Sequence, residues 1–190
     1  MTIIPTEIPD VRIIEPKVFG DARGYFFESW NQAVYEEAGI TCRFLQDNES
    51  KSRFGVLRGL HYQAVPFTQA KLVRVIEGAV LDVALDIRKG SPTFGRHVAV
   101  ELSGENKRQL FIPRGFAHGF VVLSEEVLFA YKCDNRYAPA SERGIAFNDP
   151  ALGIDWRVKT DRFILSPKDM KNPPFAEAEL FDFTKKDYLQ

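Results

Sequence analysis

The feature that most constrains this chain is a series of short β-type segments, each closed by turn residues. Segments rich in β-branched and aromatic residues recur about every 8 to 15 residues, with Gly, Pro, Asn and Asp between them. In chain order they are VRIIEP, GYFFESW, RFLQDNES, GVLRGLHYQ, KLVRVIEGAVLDVALDIR, RHVAVELS, QLFIPRGFAHGFVVLS, EVLFAYKC and a weaker GIAFND. Because strands and helices hardly alternate, the pattern predicts an all-β sandwich or barrel.

The clearest alternation lies between Val80 and Ile87. Asp82 and Asp86 fall on one face, and aliphatic residues fall on the other. The aliphatic residues are Leu81, Val83, Leu85 and Ile87. A strand with one apolar and one polar face predicts a half-buried antiparallel strand.

Helical signals are few and lie near the two ends of the chain. One helix is predicted at NQAVYEEAG, with Asn31 as N-cap and Gly39 as the C-terminal stop. In the tail, SPKDMKNPPFAEAELFDF, prolines divide the helical pattern into short pieces that we expect to pack as an extension.

Length and aromatic content complete the fold prediction. The 190 residues suit one domain, residues 1–190. The 16 Phe and 6 Tyr exceed what a plain core needs, which favours a barrel enclosing a ligand pocket. We therefore predict an all-β, cupin-type jelly-roll barrel with a short N-terminal helix and short C-terminal helices.

Composition excludes several classes of protein. No apolar run reaches the roughly 18 residues of a membrane span, and the N-terminal residues do not resemble a signal peptide, so we expect a cytoplasmic location. The net charge of −1, with acids and bases interspersed, argues against a nucleic-acid partner. Cys42 and Cys133 lie outside any CxxC pattern, which predicts buried thiols and neither a disulfide framework nor a cysteine zinc site.

His61, in LRGLHYQ, could be a core residue, a metal ligand or a catalytic base. Cupin metal sites usually have two histidines separated by one residue, and here Gln63 holds the second position. His118 is the other credible ligand, and His97 is expected to be exposed. Two neutral ligands are fewer than the three protein ligands typical of a catalytic zinc site, so we expect no metal.

Acid–base chemistry accounts better for the polar residues of the strands. Alternation sets His118 on a face with Phe116 and Phe120, and Tyr131 on a face with its aromatic and cysteine neighbours in FAYKC. Taken alone, His118 is as easily structural as functional, whereas a lone strand tyrosine such as Tyr131 usually belongs to the core or the rim. Proton transfer next to a carbonyl needs a base, an acid on the opposite face and a cation for the enolate, which His, Tyr and Lys can supply.

The order and spacing of several blocks resemble the dTDP-4-dehydrorhamnose 3,5-epimerases, enzymes of dTDP-L-rhamnose synthesis. The blocks are DARGYFFESW, FLQDNESKS, RGLHYQ, KLVRVIEGAVLDVALDIRKGSPTFG, IPRGFAHGFVVLS, YKCDNRYAPASERGIAFNDPALGIDW and LSPKD. They extend from about Val11 to Asp169. The resemblance implies a metal-free cupin jelly roll without cofactor, active as a homodimer on dTDP-4-dehydro-6-deoxy-D-glucose.

The same resemblance implies roles for five residues around the reacting sugar. His61 would be the base and Tyr131 the acid, with Asp169 orienting His61. Lys71 would stabilise the enolate oxygen, helped by His118.

Further positions would bind the substrate, by matching motif positions. They are Arg23, Phe26, Glu28, Gln46, Asp47, Asn48, Arg58, His118, Glu142 and Lys168. Phe26 offers a stacking surface, and an arginine can bind phosphate oxygens in bidentate fashion. The resemblance also implies that part of the nucleotide pocket comes from the partner subunit, and ARGYFFE is the expected contributor.

Strict strand alternation places Arg58 and His61 on opposite faces of LRGLHYQ. A glycine within a strand often marks a bulge, and Gly59 lies between the two. We therefore predict a bulge or kink near Gly59 that turns both side chains into one pocket.

Three other functions stay open at this point. One is an epimerase that acts at a single carbon or on a differently built dTDP sugar. The others are a metal-dependent cupin oxygenase and a sugar-binding jelly roll without catalysis, the last of which leaves the set of His61, Tyr131 and Asp169 unexplained.

Overall fold

The computed structural model describes residues 1–189, and strands dominate it. The strands are β1 (Thr2–Pro5), β2 (Arg12–Glu15), β3 (Phe19–Asp21), β4 (Gly24–Phe26), β5 (Gln46–Arg53), β6 (Leu57–Gln63), β7 (Lys71–Glu77), β8 (Ala79–Asp86), β9 (Arg88–Lys89), β10 (His97–Ser103), β11 (Gln109–Ile112), β12 (Phe116–Val122), β13 (Glu126–Cys133), β14 (Glu142–Gly144) and β15 (Phe181–Asp182). The α-helix is α1 (Gln32–Glu37). Short 3-10 turns occupy Pro139–Ser141, Pro150–Leu152, Thr160–Arg162, Asp169–Lys171, Phe175–Glu177 and Asp187–Leu189.

Two antiparallel sheets form the body of the fold. One has the strand order β1-β2-β11-β7-β13-β5 and the other β10-β8-β12-β6-β14. Their inner faces share one buried apolar cluster, in which Val73 and Phe129 of the first sheet pack with Val100, Phe116 and Phe120 of the second. The predicted all-β jelly-roll fold is confirmed.

A second apolar cluster covers the outer face of the five-stranded sheet. There Leu81 and Val83 of β8 pack with Trp156, Phe181 and Tyr188 of the C-terminal segment. The tail is therefore a packed extension, as predicted, although its helical pieces are 3-10 turns. No helix within residues 1–189 has the length and apolar character needed to cross a membrane.

The prediction that β8 is half-buried is wrong, because both of its faces are covered. The aliphatic face lies under the C-terminal segment, and the face with Asp82 and Asp86 turns inward between the sheets. Both carboxylates are fully buried. Asp86 accepts hydrogen bonds from Arg88, Ser91 and Thr93, which satisfy its charge.

The predicted N-terminal helix is present, but its cap differs. Asn31 has extended backbone and no capping hydrogen bond, since its side chain donates to Glu28 Oε1 at 2.9 Å. Gly39 follows the helix with φ +78°, the left-handed conformation that glycine favours after a C-cap. The helix contributes Tyr35 to a third apolar cluster, on the outer face of the six-stranded sheet.

Strand boundaries match the sequence pattern unevenly. EVLFAYKC coincides with β13, whereas only three residues of GYFFESW form a strand, β4, in a hairpin with β3. GIAFND lies almost wholly outside β14, and β1 was not predicted. β1, β4 and β14 have only three or four residues each, so their pairing depends on neighbours that the local pattern does not reveal.

Candidate active site

A cavity of about 610 Å³ opens between the two sheets. The six-stranded sheet contributes residues of β5, β7 and β13, the five-stranded sheet residues of β6 and β12, and residues 164–169 complete the wall. Four of its lining residues are the predicted catalytic set, His61, Lys71, Tyr131 and Asp169. Five predicted binding residues also line it, namely Asn48, Arg58, His118, Glu142 and Lys168.

The irregularity predicted in β6 is present. Opposite β12, His61 pairs with His118 and Arg58 pairs with Phe120, so two residues of β6, Gly59 and Leu60, lie opposite the single Gly119 of β12. Gly59 has φ +139°, and a Cβ placed there would lie 2.5 Å from Gly119 Cα. Only glycine fits this close approach, and the resulting bulge turns both Arg58 and His61 toward the cavity.

His61 is held by a buried carboxylate. Its Nε2 contacts Asp169 Oδ1, and the Asp169 side chain is 4% exposed. Burial raises the pKa of Asp169, but the hydrogen bond and the charge of His61 outweigh it and hold that pKa below its usual value. With Nε2 directed at an ionised carboxylate, Nδ1 is the nitrogen of His61 that remains to take up a proton.

Ser166 positions Asp169 from the same loop. Its hydroxyl donates to Asp169 Oδ2 at 2.8 Å and accepts from the Asp169 backbone N–H at 3.1 Å. Sequence reasoning missed Ser166, although a serine three residues before an acid is the spacing of an N-terminal helix cap. The 3-10 turn Asp169–Lys171 begins at this point.

Tyr131 and Lys71 face His61 from the other sheet. In β13, Phe129 and Tyr131 both line the cavity, as the alternation predicts. Lys71 is in register with Cys133, two residues beyond Tyr131, and its Nζ lies 6.0 Å from the centre of the Tyr131 ring. Burial raises the pKa of Tyr131 and lowers that of Lys71, so the phenol keeps its proton and the ammonium is partly desolvated.

His118 has a carboxylate partner that sequence reasoning missed. Its Nε2 lies 3.0 and 2.9 Å from the two carboxylate oxygens of Asp82, and its ring stacks on Phe129 at 6.3 Å. The signal was present in β8, where Asp82 and Asp86 alternate with Val80 and Ala84 on the face that turns inward.

Glu142 lies at the centre of a polar cluster with Lys168 and Tyr137 in the cavity wall. Its carboxylate pairs with Lys168 Nζ and accepts a hydrogen bond from the Tyr137 hydroxyl at 2.6 Å. Burial raises the pKa of Glu142, but Lys168 and Tyr137 outweigh it and lower that pKa. Tyr137 lies in a polar loop and carried no sequence signal.

An adjoining cavity of about 280 Å³ shares His61, Lys71 and Tyr131 with the first. Gln46 lines it, as does Gln63, which stands where a second metal-binding histidine was considered. The Gln63 side chain bonds to the backbone of Phe67, Arg136 and Ala138. Within residues 1–189 no group of three or more His, Cys, Asp or Glu side chains is arranged to hold a metal ion.

Four predicted binding residues do not line either cavity. Asp47 points to the opposite face of β5 from Asn48 and pairs with Lys132 at 2.5 Å. Arg23, Phe26 and Glu28 lie in or just after the β3–β4 hairpin, where the Phe26 side chain is 70% exposed. Arg23 pairs there with Asp21 at 2.6 Å, outside the cavity.

His97, expected to be exposed, is half-buried at the start of β10 and lies outside both cavities. Burial lowers its pKa. Cys133 is buried, as predicted, whereas Cys42 is half-buried, and burial raises the pKa of each thiol, to about 11 and about 12 respectively.

Known proteins of one family are similar to this chain in sequence and in fold. The family model for dTDP-4-dehydrorhamnose 3,5-epimerase matches residues 5–177. The chain is 61% identical over 181 residues to the dTDP-4-dehydrorhamnose 3,5-epimerase of Salmonella typhimurium, covering 95% of this chain and 98% of the relative. The structure is also similar to that of the Legionella pneumophila dTDP-6-deoxy-D-glucose-3,5-epimerase in complex with dTDP-4-keto-L-rhamnose, with TM-score 0.93, 54% identity and coverage of 96% and 98%.

A more distant likeness is to a 3'-monoepimerase of Streptomyces bikiniensis in complex with dTDP-quinovose. The TM-score is 0.87 at 32% identity, covering 98% of this chain and 99% of that one. The family model spans most of the chain, and the Salmonella relative is matched along nearly its whole length. The chain therefore belongs to the dTDP-4-dehydrorhamnose 3,5-epimerase family.

Proposed function

We propose that this protein is a dTDP-4-dehydrorhamnose 3,5-epimerase, which converts dTDP-4-dehydro-6-deoxy-D-glucose to dTDP-4-dehydro-L-rhamnose. The observation that carries the proposal is the placement of the His61–Asp169 pair and Tyr131 on opposite sheets around one cavity. An inversion needs a base on one face of a carbon and an acid on the other. The family membership supports the choice of sugar nucleotide.

The reaction follows from the chemistry of a 4-keto sugar. The keto group acidifies the hydrogens on carbons 3 and 5, and His61 Nδ1 removes one of them as a proton. The pair of electrons moves into an enolate whose oxygen is stabilised by the Lys71 ammonium. The Tyr131 hydroxyl then gives a proton to the opposite face of the same carbon, which completes one inversion.

The surroundings favour these protonation states. Asp169 stabilises the imidazolium that forms at His61, because its pKa is lowered and it stays ionised at neutral pH. Burial keeps Tyr131 protonated until it donates. The acid and the base each contribute about 10²- to 10⁴-fold in rate by general catalysis. Because the reaction transfers only protons, it needs no cofactor.

The nucleotide end of the substrate would lie toward Arg58, Gln46, Asn48 and Lys168. Glu142 pairs with Lys168 there. Arg58 is held by Ser52 Oγ at 3.2 Å and can turn its guanidinium to a phosphate. The exposed hairpin with Arg23, Phe26 and Glu28 would reach the cavity of a second copy. We therefore propose a homodimer in which each subunit completes the other's nucleotide pocket.

Three further parts of the proposal concern the chain as a whole. It would act as one domain, since the C-terminal segment supplies Asp169 and covers the sheet that carries His61. It would work in the cytoplasm, where sugar nucleotides are made, without nucleic-acid or membrane partners. The mixed surface charge, with a net value of −1, accords with this.

A second candidate function is inversion at one carbon only. It is favoured by the likeness to the 3'-monoepimerase at 32% identity. The two candidates share the base and the acid, so they differ only in how many carbons exchange hydrogen.

The test is the reaction in deuterated water, followed by NMR of the sugar. A 3,5-epimerase places deuterium at both carbons 3 and 5, whereas a 3'-monoepimerase places it at carbon 3 alone. His61→Asn should lose at least about 10²-fold in exchange. The matched control is His97→Asn, which removes a histidine outside the cavity and should exchange at the wild-type rate. Unchanged exchange in His61→Asn would contradict the mechanism.

A further inference from the structure

Asp82 is a buried carboxylate for which the proposed reaction has no role. It is 0% exposed and lies on the face of β8 that turns inward between the sheets. Its two oxygens lie 3.0 and 2.9 Å from His118 Nε2. A fully buried charge destabilises a protein unless it is paired, so the Asp82–His118 contact serves either the stability of the fold or the reaction.

The contact determines which nitrogen of His118 carries hydrogen. An ionised carboxylate only accepts hydrogen bonds, so Nε2 must donate. Burial lowers the pKa of His118 more than Asp82 raises it, and the charges of Lys71 and His61 lower it further. The neutral ring then has a bare Nδ1, and the hydrogen bonds of the His118 ring within residues 1–189 are those of Nε2 with Asp82.

The bare nitrogen is available to a ligand. His118 lines the cavity beside Lys71 and is in register with His61 across the two strands. Stacking of its ring on Phe129, at an interplanar angle of 20°, fixes the plane of the imidazole. The only role open to a neutral Nδ1 is that of acceptor, because it has no hydrogen to give.

We propose that Asp82 is a positioning residue that locks His118 in its Nε2–H tautomer, so that Nδ1 accepts a hydrogen bond from a hydroxyl of the bound sugar. This inference rests on the proposed function and deepens it. A keto or enolate oxygen only accepts, so it cannot bond to a bare imidazole nitrogen. His118 therefore recognises a sugar hydroxyl, and Lys71 alone provides the charge for the enolate oxygen.

The His61–Asp169 pair has the same arrangement, with Nε2 on a carboxylate. The two pairs differ in exposure, since the His61 side chain is 29% exposed and that of His118 is 8% exposed. A histidine that must become charged in turnover needs contact with solvent or substrate. The more deeply buried ring is suited to remain neutral and to orient the sugar.

The first experiment reads the tautomer directly in the wild-type protein. Long-range proton–nitrogen NMR of the ¹⁵N-histidine-labelled protein at neutral pH should show hydrogen on His118 Nε2 and none on Nδ1. Addition of dTDP-glucose, which has sugar hydroxyls but no keto group, should shift the Nδ1 resonance. A His118 that is protonated on Nδ1, or on both nitrogens, would overturn the proposal without any variant.

The second experiment uses Asp82→Asn, in which the carboxamide can donate to Nε2 and move the ring hydrogen to Nδ1. We expect kcat/KM to fall about tenfold, mainly through KM, as for one lost hydrogen bond. Exchange at carbons 3 and 5 should fall in equal proportion. Loss of exchange at one carbon alone would instead identify His118 as a second base and overturn the proposal.

Two controls separate positioning from a general structural effect. Asp169→Asn makes the same change in the other pair, and should abolish exchange while leaving the His118 resonances as in wild type. In a His118→Gln background, Asp82→Asn should lower kcat/KM little further, because Asp82 acts through His118. If Asp82→Asn lowered kcat/KM about tenfold in that background as well, the proposal would be contradicted. A wild-type protein that exchanges no sugar hydrogen would contradict only the proposed function and its sugar.

Discussion

The cavity between the sheets and the β3–β4 hairpin differ in how complete they are within one chain. The cavity brings together His61, Tyr131 and Asp169 from two sheets and the C-terminal segment. The hairpin holds Arg23 and Phe26 in the open, where the Arg23 side chain is 90% exposed and, within residues 1–189, pairs only with Asp21.

This difference separates two kinds of site residue. Groups that move protons must be held at fixed positions, and a buried, hydrogen-bonded setting provides that. Residues that bind a nucleotide can lie in an exposed segment, because they need to contact the ligand only when it binds. A large exposed apolar side chain such as Phe26 is consistent with a surface that is covered in the assembled protein.

The largest expected effect lies in the cavity. Tyr131→Phe removes the proton donor and should slow inversion by about 10²- to 10⁴-fold. His61 would still remove protons and return solvent deuterium to the same face, so exchange without inversion should persist. NMR of the recovered sugar in deuterated water distinguishes the two processes. If inversion continued at the wild-type rate, Tyr131 would not be the acid.

A second prediction concerns the backbone that shapes the cavity. Gly59→Ala should lower the free energy of unfolding by about 1–3 kcal/mol, because its Cβ would press on Gly119 and its φ is +139°. Gly153→Ala is the matched control, with φ +59° and nothing within 4 Å of the added Cβ. Urea unfolding of both variants compares them. An equal loss in the two would mean that crowding at Gly59 is unimportant.

The hairpin should affect binding more than chemistry. Arg23→Ala should raise KM about tenfold, by loss of a charged contact to phosphate, and change kcat little. Since the side chain is exposed and its ion pair is with the exposed Asp21, thermal stability should not change. Steady-state kinetics and a melting curve check both parts. A fall in kcat with KM unaltered would place Arg23 in the chemical step and remove the contrast between hairpin and cavity.

The smallest effect is on the shape of the pH profile. Burial lowers the pKa of Lys71 below 10.5 and raises that of Tyr131 above 10.0. As pH rises, the Lys71 ammonium should therefore lose its charge at a pH below 10.5, and kcat/KM should decline with that loss. Lys71→Arg, whose guanidinium stays charged, should lower the rate but remove this decline. A decline that survives in Lys71→Arg would assign it to another group.

Parts of the fold and site could be predicted because they depend on local pattern. Alternation alone placed Tyr131 with Phe129 on the inner face of β13, since side chains of a strand alternate whatever surrounds it. The bulge was predictable because Gly59 stands between two residues that one pocket requires. The same alternation separates Asp47 from its neighbours in β5, and strict use of it would have removed Asp47 from the binding set.

Other features depend on what packs against a strand, which local pattern does not contain. The polar face of β8 looked solvent-exposed because two acids interrupt it, yet Asp86 is satisfied by Arg88 and Asp82 by His118. The Asn31 side chain had a nearer partner in Glu28 than the helix it was expected to cap.

The sequence by itself determined the strands, the inward faces of the central ones and, through resemblance over most of the chain, the family. The resemblance also implied Asp169 as the partner of His61, but only the tertiary structure showed their contact and decided Asp82 as the partner of His118 and Glu142 as that of Lys168. The physical reason is range. Side-chain alternation and turn preference act between neighbours in the chain, whereas the His61–Asp169 contact joins residues 108 positions apart and exists only once two sheets and the C-terminal segment have packed.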